Sequence, residues 1–245
     1  MQNFKLTLEY DGTAYRGWQR QAEGPTIQAE VERALGRLTG APVTVIGAGR
    51  TDAGVHALGQ TAHFHSPTRL GPEALRRGLN ALLPEDIAVR ECLPVPETFH
   101  ARYDARAKRY RYRILNREAR SALERHRCWF LDRPLDLEAM RRAAAHLVGR
   151  RDFKSFESSG SPRAHTVRTV TAAEWHTGED GILCFEIEAD GFLRGMVRNV
   201  VGTLAAVGQG RLSPGDIPRI LAARDRKCAA ACAPARGLFL VRVIY

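Results

Sequence analysis

Polar and apolar residues alternate from Phe4 to Tyr10, the period of a half-buried strand. The period then lengthens. Ile27, Val31, Leu35 and Leu38 fall on one face of a helix predicted over Thr26–Leu38. Val43–Ala48 and Gly59–His65 read as strands. Pro72–Leu83 reads as a helix, opened by Pro near its first turn and closed by Pro84. Ile87–Leu93 completes the first half as a strand. The order is β-α-β-β-α-β, the split-βαβ or ferredoxin-like arrangement.

The order repeats. Ala107–Leu115 is predicted as a strand, and Leu137–Val148 as a helix with Met140, Ala144, Leu147 and Val148 on one side. Val167–Trp175 and Ile182–Ala189 are strands joined by a turn at Thr177–Gly181. Gly195–Val207 is an apolar helix, Ser213–Ala223 an extra one with Ser213 as N-cap, and Leu238–Ile244 the last strand. The predicted fold class is α+β: two tandem ferredoxin-like (RRM-like) βαββαβ halves, residues 1–105 and 106–245, forming one long antiparallel sheet. Helices cover one face, and a central cleft separates the halves. Ser155–His165 is the predicted mobile loop.

Composition excludes some classes. With 44% hydrophobic and 26% charged residues over 245 positions, the chain is neither disordered nor collagen-like. No run approaches ~20 apolar residues, and the first residues hold no signal-peptide core. A cytoplasmic location without a membrane span is expected. Five scattered cysteines (92, 128, 184, 228 and 232) argue against a disulfide framework. Cys228 and Cys232, four apart, read as small packing residues.

Charge points to a polyanionic partner. The chain holds 37 Lys+Arg against 27 Asp+Glu, a net +10. Of the basic residues 33 are Arg, whose planar fork suits phosphate and stacked bases, although a GC-rich genome explains the same ratio. Distribution is more telling. Residues 1–105 hold 11 basic and 12 acidic residues, whereas residues 106–245 hold 26 and 15. A basic face is therefore expected, not a uniform coat.

The run Gly47-Ala48-Gly49-Arg50-Thr51-Asp52-Ala53-Gly54-Val55-His56 carries the most chemistry. Glycines there permit positive φ and close approach of a ligand to the backbone. An Asp beside Arg50 is expected to stay ionised, and a pinned carboxylate serves as nucleophile or general base. The plain alternative is a turn Asp that caps its own backbone.

GRTDAGVHALGQ (Gly49–Gln60) resembles the catalytic motif of the TruA family of tRNA pseudouridine synthases, and the resemblance covers the whole chain. Tyr10–Gln21 (YDGTAYRGWQRQ) is similar to that family's N-terminal YDGxxYxGWQ run. Phe99-His100-Ala101-Arg102 with Lys108-Arg109-Tyr110-Arg111-Tyr112 is similar to its central motif, and Met196–Gly202 (MVRNVVG) to its C-terminal helix. Family members often carry His before MVRN, where this chain has Gly195.

The resemblance implies the pseudouridine synthase fold and an isomerase. It converts uridine to pseudouridine at positions 38, 39 and 40 of the tRNA anticodon stem-loop, works as a homodimer, and uses no metal or cofactor. Asp52 is then the catalytic residue, adding to the uracil ring or acting at the sugar C1′. Tyr110 stacks on the base and takes the C5 proton. Arg198 pairs with the aspartate, and Arg50 orients Asp52 or contacts phosphate. The target uridine must leave its stack to reach a carboxylate, which costs a few kcal/mol.

Spacing adds that Tyr110, Tyr112 and Ile114 share one strand face while Arg109, Arg111 and Arg113 share the other, with Tyr112 read as core. Arg16, Arg20, Arg102, Arg106, Lys108, Arg109 and Arg111 are the residues expected to track a tRNA backbone, each with a plain solvated charge as alternative. With Asp52 in one half and Tyr110 and Arg198 in the other, the active site is expected at their junction.

Other readings compete. His63 and His65 share a strand face but lack a third ligand at metal-site spacing. Neither a zinc-deaminase run nor a phosphate-binding P-loop occurs. A noncatalytic pair of RRM-like units would show an aromatic RNP1 run, which neither Gly59–His65 nor Ile182–Ala189 has. A pseudouridine synthase acting on another RNA is the remaining rival.

Overall fold

The computed structural model describes residues 1–158 and 165–245. The elements in order are β1 (Gln2–Tyr10), α1 (Ile27–Thr39), β2 (Ile46–Gly47), β3 (His56–Ser66), α2 (Pro72–Leu82) and β4 (Ile87–Val95). Then follow β5 (Ala107–Asn116), β6 (Trp129–Leu131), α3 (Leu137–Ala145), β7 (Gly149–Asp152), β8 (Val167–Thr177) and β9 (Ile182–Ala189). α4 (Met196–Gly208), α5 (Asp216–Ala223) and β10 (Leu238–Ile244) end the chain. The result is α+β. Two compact units are resolved, Met1–Arg106 with Phe239–Tyr245, and Ala107–Leu238.

In the first unit β1 lies between β4 and β3 and pairs antiparallel with both. Its alternation turns Phe4, Leu6, Leu8 and Tyr10 inward, where Phe4 stacks on Phe64 of β3 at 5.3 Å. Helix α1 adds Ile27, Val31, Ala34 and Leu35 to this core, and α2 adds Leu75 and Leu79. The side chain of Thr26 caps α1 by accepting from the Ala29 amide. The first amides of α1, at Ile27 and Gln28, donate to the carbonyls of Gly17 and Trp18.

Three expectations change here. The predicted strand Val43–Ala48 shrinks to Ile46–Gly47, because side chains of α1 take its backbone bonds: Val45 N–H donates to Glu32 Oε1 and Val45 C=O accepts from Gln28 Nε2, each at 3.0 Å. The sheet is not purely antiparallel, since β10 pairs with β3 in parallel, Phe239 opposite His56 and Leu240 opposite Ala57. β2 covers β3 only at Ala62 and His63, so the edge around His56 needs another partner, and β10 supplies it. The last strand thus belongs to the first unit instead of closing a repeat in the second half.

In the second unit the strand order is β5-β9-β8-β7, all antiparallel, with short β6 parallel to β5. β6 and β7 have too few residues to show a period, and the sequence reading passed over both. The two faces of β5 are as the spacing predicts. Tyr110, Tyr112 and Ile114 are buried. Arg109, Arg111 and Arg113 are half-buried on the opposite face.

Helix α4 is the centre of this unit: of its 13 residues all but Arg198 are buried. α3 stops at Ala145, short of the predicted Val148. α5 starts at Asp216 with Gly215 as N-cap, not Ser213. Ser213 instead donates its amide and hydroxyl to the Asp216 carboxylate at 2.8 and 2.9 Å, so its hydroxyl is engaged as a donor and caps no helix amide. Within the predicted loop Ser155–His165, Lys154–Phe156 forms a 3₁₀ turn with Ser155 and Phe156 buried, while 159–164 lie outside the described residues. Cys228 and Cys232 are exposed, so neither is a packing residue. Among the described residues no helix is long and apolar enough to cross a membrane.

Candidate active site

Asp52 sits half-buried on the loop between β2 and β3. Its anchors come from the N-terminal run, from β3 and from within the loop itself. Thr51 is buried, and its hydroxyl meets the Tyr10 hydroxyl at 2.9 Å. The Thr51 carbonyl accepts from the Trp18 amide at 3.1 Å. Val55 N–H closes a turn onto the Asp52 carbonyl at 3.1 Å, and Gly54 N–H reaches the Tyr15 carbonyl at 3.3 Å. Gly54 takes φ 75°, the left-handed conformation expected of a glycine in this loop. Gln60 Nε2 donates to the Gly49 carbonyl at 2.9 Å. The loop is thus pinned on both sides of Asp52 by groups from β1, β3 and the segment before α1.

Tyr10 is the clearest residue to which the sequence motifs assign no role of its own. It follows Phe4, Leu6 and Leu8 inward on β1, so its hydroxyl had to find a buried partner. Burial pushes that hydroxyl up to about 12, only partly offset by its bonds to Thr51 and Gln60. It stays protonated and acts as a hydrogen-bonding strut. His56, 1% exposed, places Nδ1 at 3.1 Å from both the Gly12 amide and the Asp11 carboxylate, which ties the YDG run to the start of β3.

Gly17 shows how tightly the two motifs fit. Its φ is 92°, and a Cβ added there would lie 2.4 Å from the Thr51 carbonyl oxygen. Only glycine lets the chain pass this close to Asp52.

The predicted basic residues sort into several groups. Arg50 Nε donates to Gln19 Oε1 at 3.1 Å, so its head group is drawn toward the segment before α1. Arg20 pairs with Glu32, a buried acid, at 2.9 Å. Glu32 also receives Gln28 and the Val45 amide, so Arg20 closes a polar clamp that supports the same segment. Arg16 is exposed and lies 3.8 Å from Glu23. Arg102 and Arg106 are exposed, and Lys108 is half-buried. Arg109 reaches Glu188 at 2.9 Å, and Arg111 reaches Glu186 at 2.6 Å, across the β5–β9 pair. These two arginines carry a cross-strand charge ladder as well as any other role.

Tyr110 is 7% exposed and meets Phe192 edge to face at 4.9 Å. Tyr112 is fully buried, donates its hydroxyl to the Pro234 carbonyl at 2.7 Å, and is held strongly protonated by that burial. Arg198, the half-buried member of α4, donates Nε to the Ala233 carbonyl at 2.8 Å, and Ala233 N–H returns a bond to the Arg198 carbonyl.

The glycine before this helix has a structural reason. Gly195 caps α4 at φ 66°, and an added Cβ would lie 2.2 Å from Ser158 Oγ. A larger residue, including the His frequent at this place in the family, strains this left-handed turn and requires the Ser158 side chain to move.

His63 and His65 gather no metal ligands: among the described residues no group of three His, Cys, Asp or Glu can hold an ion. His63 instead is buried and accepts the Ala101 amide at Nδ1, 3.1 Å. Burial, and then the neighbouring His100 and His65, lower its pKa to about 4, so it is neutral.

A sequence profile described as tRNA pseudouridine synthase matches residues 7–104 and 143–245. A protein of Acetivibrio thermocellus named tRNA pseudouridine synthase A is 49% identical over 245 residues, covering 100% of both chains. A Moorella thermoacetica protein of the same name is 50% identical over 244 residues, covering 98% of each. One from Myxococcus xanthus is 48% identical over all of this chain and 92% of its own.

Proposed function

The chain belongs to the tRNA pseudouridine synthase family, and on that premise we propose that it isomerises uridine to pseudouridine at positions 38, 39 and 40 of the tRNA anticodon stem-loop. One observation carries the reading: Asp52 stands on a loop whose neighbours on both sides are fixed by buried or backbone hydrogen bonds, while its own side chain is only half-buried. A carboxylate held that way is preorganised for chemistry.

The reaction balances without a co-reactant. The bond from C1′ to N1 breaks, the bond from C1′ to C5 forms, the C5 proton leaves, and N1 gains one. No oxidation change occurs and no water is consumed. Asp52 supplies the carboxylate, to the uracil ring or to C1′. Tyr110 supplies a ring for the extruded uracil and a group to take the C5 proton, and Arg198 supplies the cation of the set. Flipping costs a few kcal/mol, which stacking on an aromatic ring offsets in part.

We read the fold as two tandem ferredoxin-like halves, 1–105 carrying the aspartate loop and 106–245 carrying the tyrosine, the arginine and most of the excess positive charge, with the closing strand β10 of the second lent to the first unit. The order β1-α1-β2-β3-α2-β4 supports this for the first half. Arg16, Arg102, Arg106 and Lys108 are proposed phosphate contacts, with Arg50 near the target nucleotide. Recognition is by shape and backbone, because three adjacent positions of varied sequence are substrates. A homodimer working in the cytoplasm, where its substrate is, completes the proposal.

The test is to incubate purified protein with tRNA, without added metal or cofactor, and map pseudouridine. Product at 38–40 is expected, and product elsewhere transfers the activity to another RNA site. Asp52→Ala and Asp52→Asn are expected to bind tRNA as the parent does and form no product. Turnover by Asp52→Ala removes the aspartate from the mechanism.

A further inference from the structure

Tyr103 stands between β4 and β5 with 75% of its surface exposed, and among the described residues no other aromatic side chain is so exposed. A single exposed ring is ordinary on a protein surface, so exposure by itself marks nothing. This one is also held in place. The His100 ring stacks beneath it at 4.2 Å and 28°. The His63 ring lies behind His100 at 4.8 Å. The three rings run from a buried strand residue out to solvent. The Arg102 guanidinium lies 5.8 Å from the Tyr103 ring centre.

The turn that presents this ring is fixed from several directions. The Ala101 amide donates to His63 Nδ1, and the Ala101 carbonyl accepts from the Tyr245 hydroxyl at 2.7 Å. Asn3 Nδ2 donates to the Pro96 and Phe99 carbonyls at 3.0 and 2.9 Å. His100 Nδ1 accepts the amides of both Arg102 and Tyr103 at 3.2 Å, so its ring proton sits on Nε2. The Asp104 carboxylate accepts the His100 amide at 2.9 Å and is occupied within the turn. The ring is therefore preorganised, with His100 stacked against it, Arg102 over it, and 75% of the residue still exposed.

We propose that Tyr103, backed by His100 and flanked by Arg102, is a stacking platform for an unpaired nucleobase of the RNA substrate, separate from the ring assigned to the reacting uracil. The proposal rests on the reading of this chain as a tRNA enzyme. An exposed aromatic ring with a guanidinium against it binds any base, because every base has a π-face, and the cation meets the adjoining phosphate. Arg106 is also exposed on the following segment and extends the positive rim.

The test uses full-length protein and a tRNA transcript, with the variants Tyr103→Ala, Tyr103→Phe and Arg102→Ala. Tyr103→Ala is expected to raise Kd and KM by on the order of tenfold, leave kcat within about twofold, and leave the salt dependence of binding unchanged. Tyr103→Phe restores affinity. Arg102→Ala reduces the salt slope by about 1. Parental affinity in Tyr103→Ala overturns the platform. So does a loss of affinity carried entirely by the salt slope. A changed sedimentation coefficient in Tyr103→Ala overturns it too, by assigning the ring to a protein contact. A parent protein that binds tRNA but makes no pseudouridine refutes the enzymatic reading alone, and the affinities of the variants still decide the platform. A parent that does not bind tRNA refutes both.

Discussion

Gly17→Ala tests whether the N-terminal run places the aspartate. The new methyl would lie 2.4 Å from the Thr51 oxygen and 3.0 Å from the Asp52 carbonyl carbon. A carbon–oxygen contact relaxes to about 3.3 Å, so the loop must retreat by roughly 0.9 Å. A displacement of about 1 Å at a reacting group costs on the order of 100-fold in rate. The left-handed backbone adds ~1–2 kcal/mol and the forced repacking ~1–3 kcal/mol, a total of roughly 2–5 kcal/mol. For a chain of this size that lowers Tm by roughly 4–20 °C. The assay is release of tritium from C5-labelled uridine in tRNA, since C5 loses its hydrogen each time it bonds to C1′. The control is Gly40→Ala. Gly40 has φ 75° but nothing within 4 Å of the added methyl. It is expected to lose only the backbone term and keep parental kcat. A Gly17→Ala protein with parental kcat refutes the reasoning. Equal losses of rate in both variants also refute it, since strain alone then explains the effect.

Two other perturbations follow from buried polar groups. Asn199 is fully buried, donates to the Phe156 carbonyl at 2.8 Å and to Ser158 Oγ at 3.2 Å, and accepts from Arg226 at 2.9 Å. Asn199→Leu removes all three bonds and is expected to cost about 3 kcal/mol by calorimetry, with a loss below about 1 kcal/mol counting against a structural role for them. His63 holds a folded pKa near 4 against an ordinary value of 6.5. The unfolded chain therefore binds a proton that the fold refuses. The His63 contribution to stability falls by at most about 3.4 kcal/mol as pH drops from about 6.5 to 4 and changes no further below that. Urea unfolding at stepped pH is expected to show a shallower fall in His63→Gln, and identical slopes would exclude His63 as the source.

Much of this protein is legible in the order of its residues. The period-two alternation of β1 fixes which side chains face inward, and the helical period of α1 does the same for Ile27, Val31 and Leu35. The alternation of Arg with Tyr along β5 separates a charged face from a buried one. Such patterns depend on residues two to four positions apart, so the backbone geometry reads them directly. The Asp52 loop is also visible, because glycines around a charged pair mark a special turn. Its resemblance to a known family gave roles to Asp52, Tyr110 and Arg198 that spacing alone did not.

What tertiary structure decided lies in partners far apart in the chain. Tyr10 and Thr51 meet across 41 positions, and nothing local announces that bond. Glu32 and Gln28 take the backbone of Val45 and shorten a strand that its own residues favour. The spacing of His63 and His65 argues against a metal site, but only the fold shows what His63 does, which is to accept the Ala101 amide. β10 reads as the end of a repeat, yet the uncovered edge of β3 claims it. In each case a buried donor, acceptor or strand edge must be satisfied, and packing, not sequence distance, selects the group that does it.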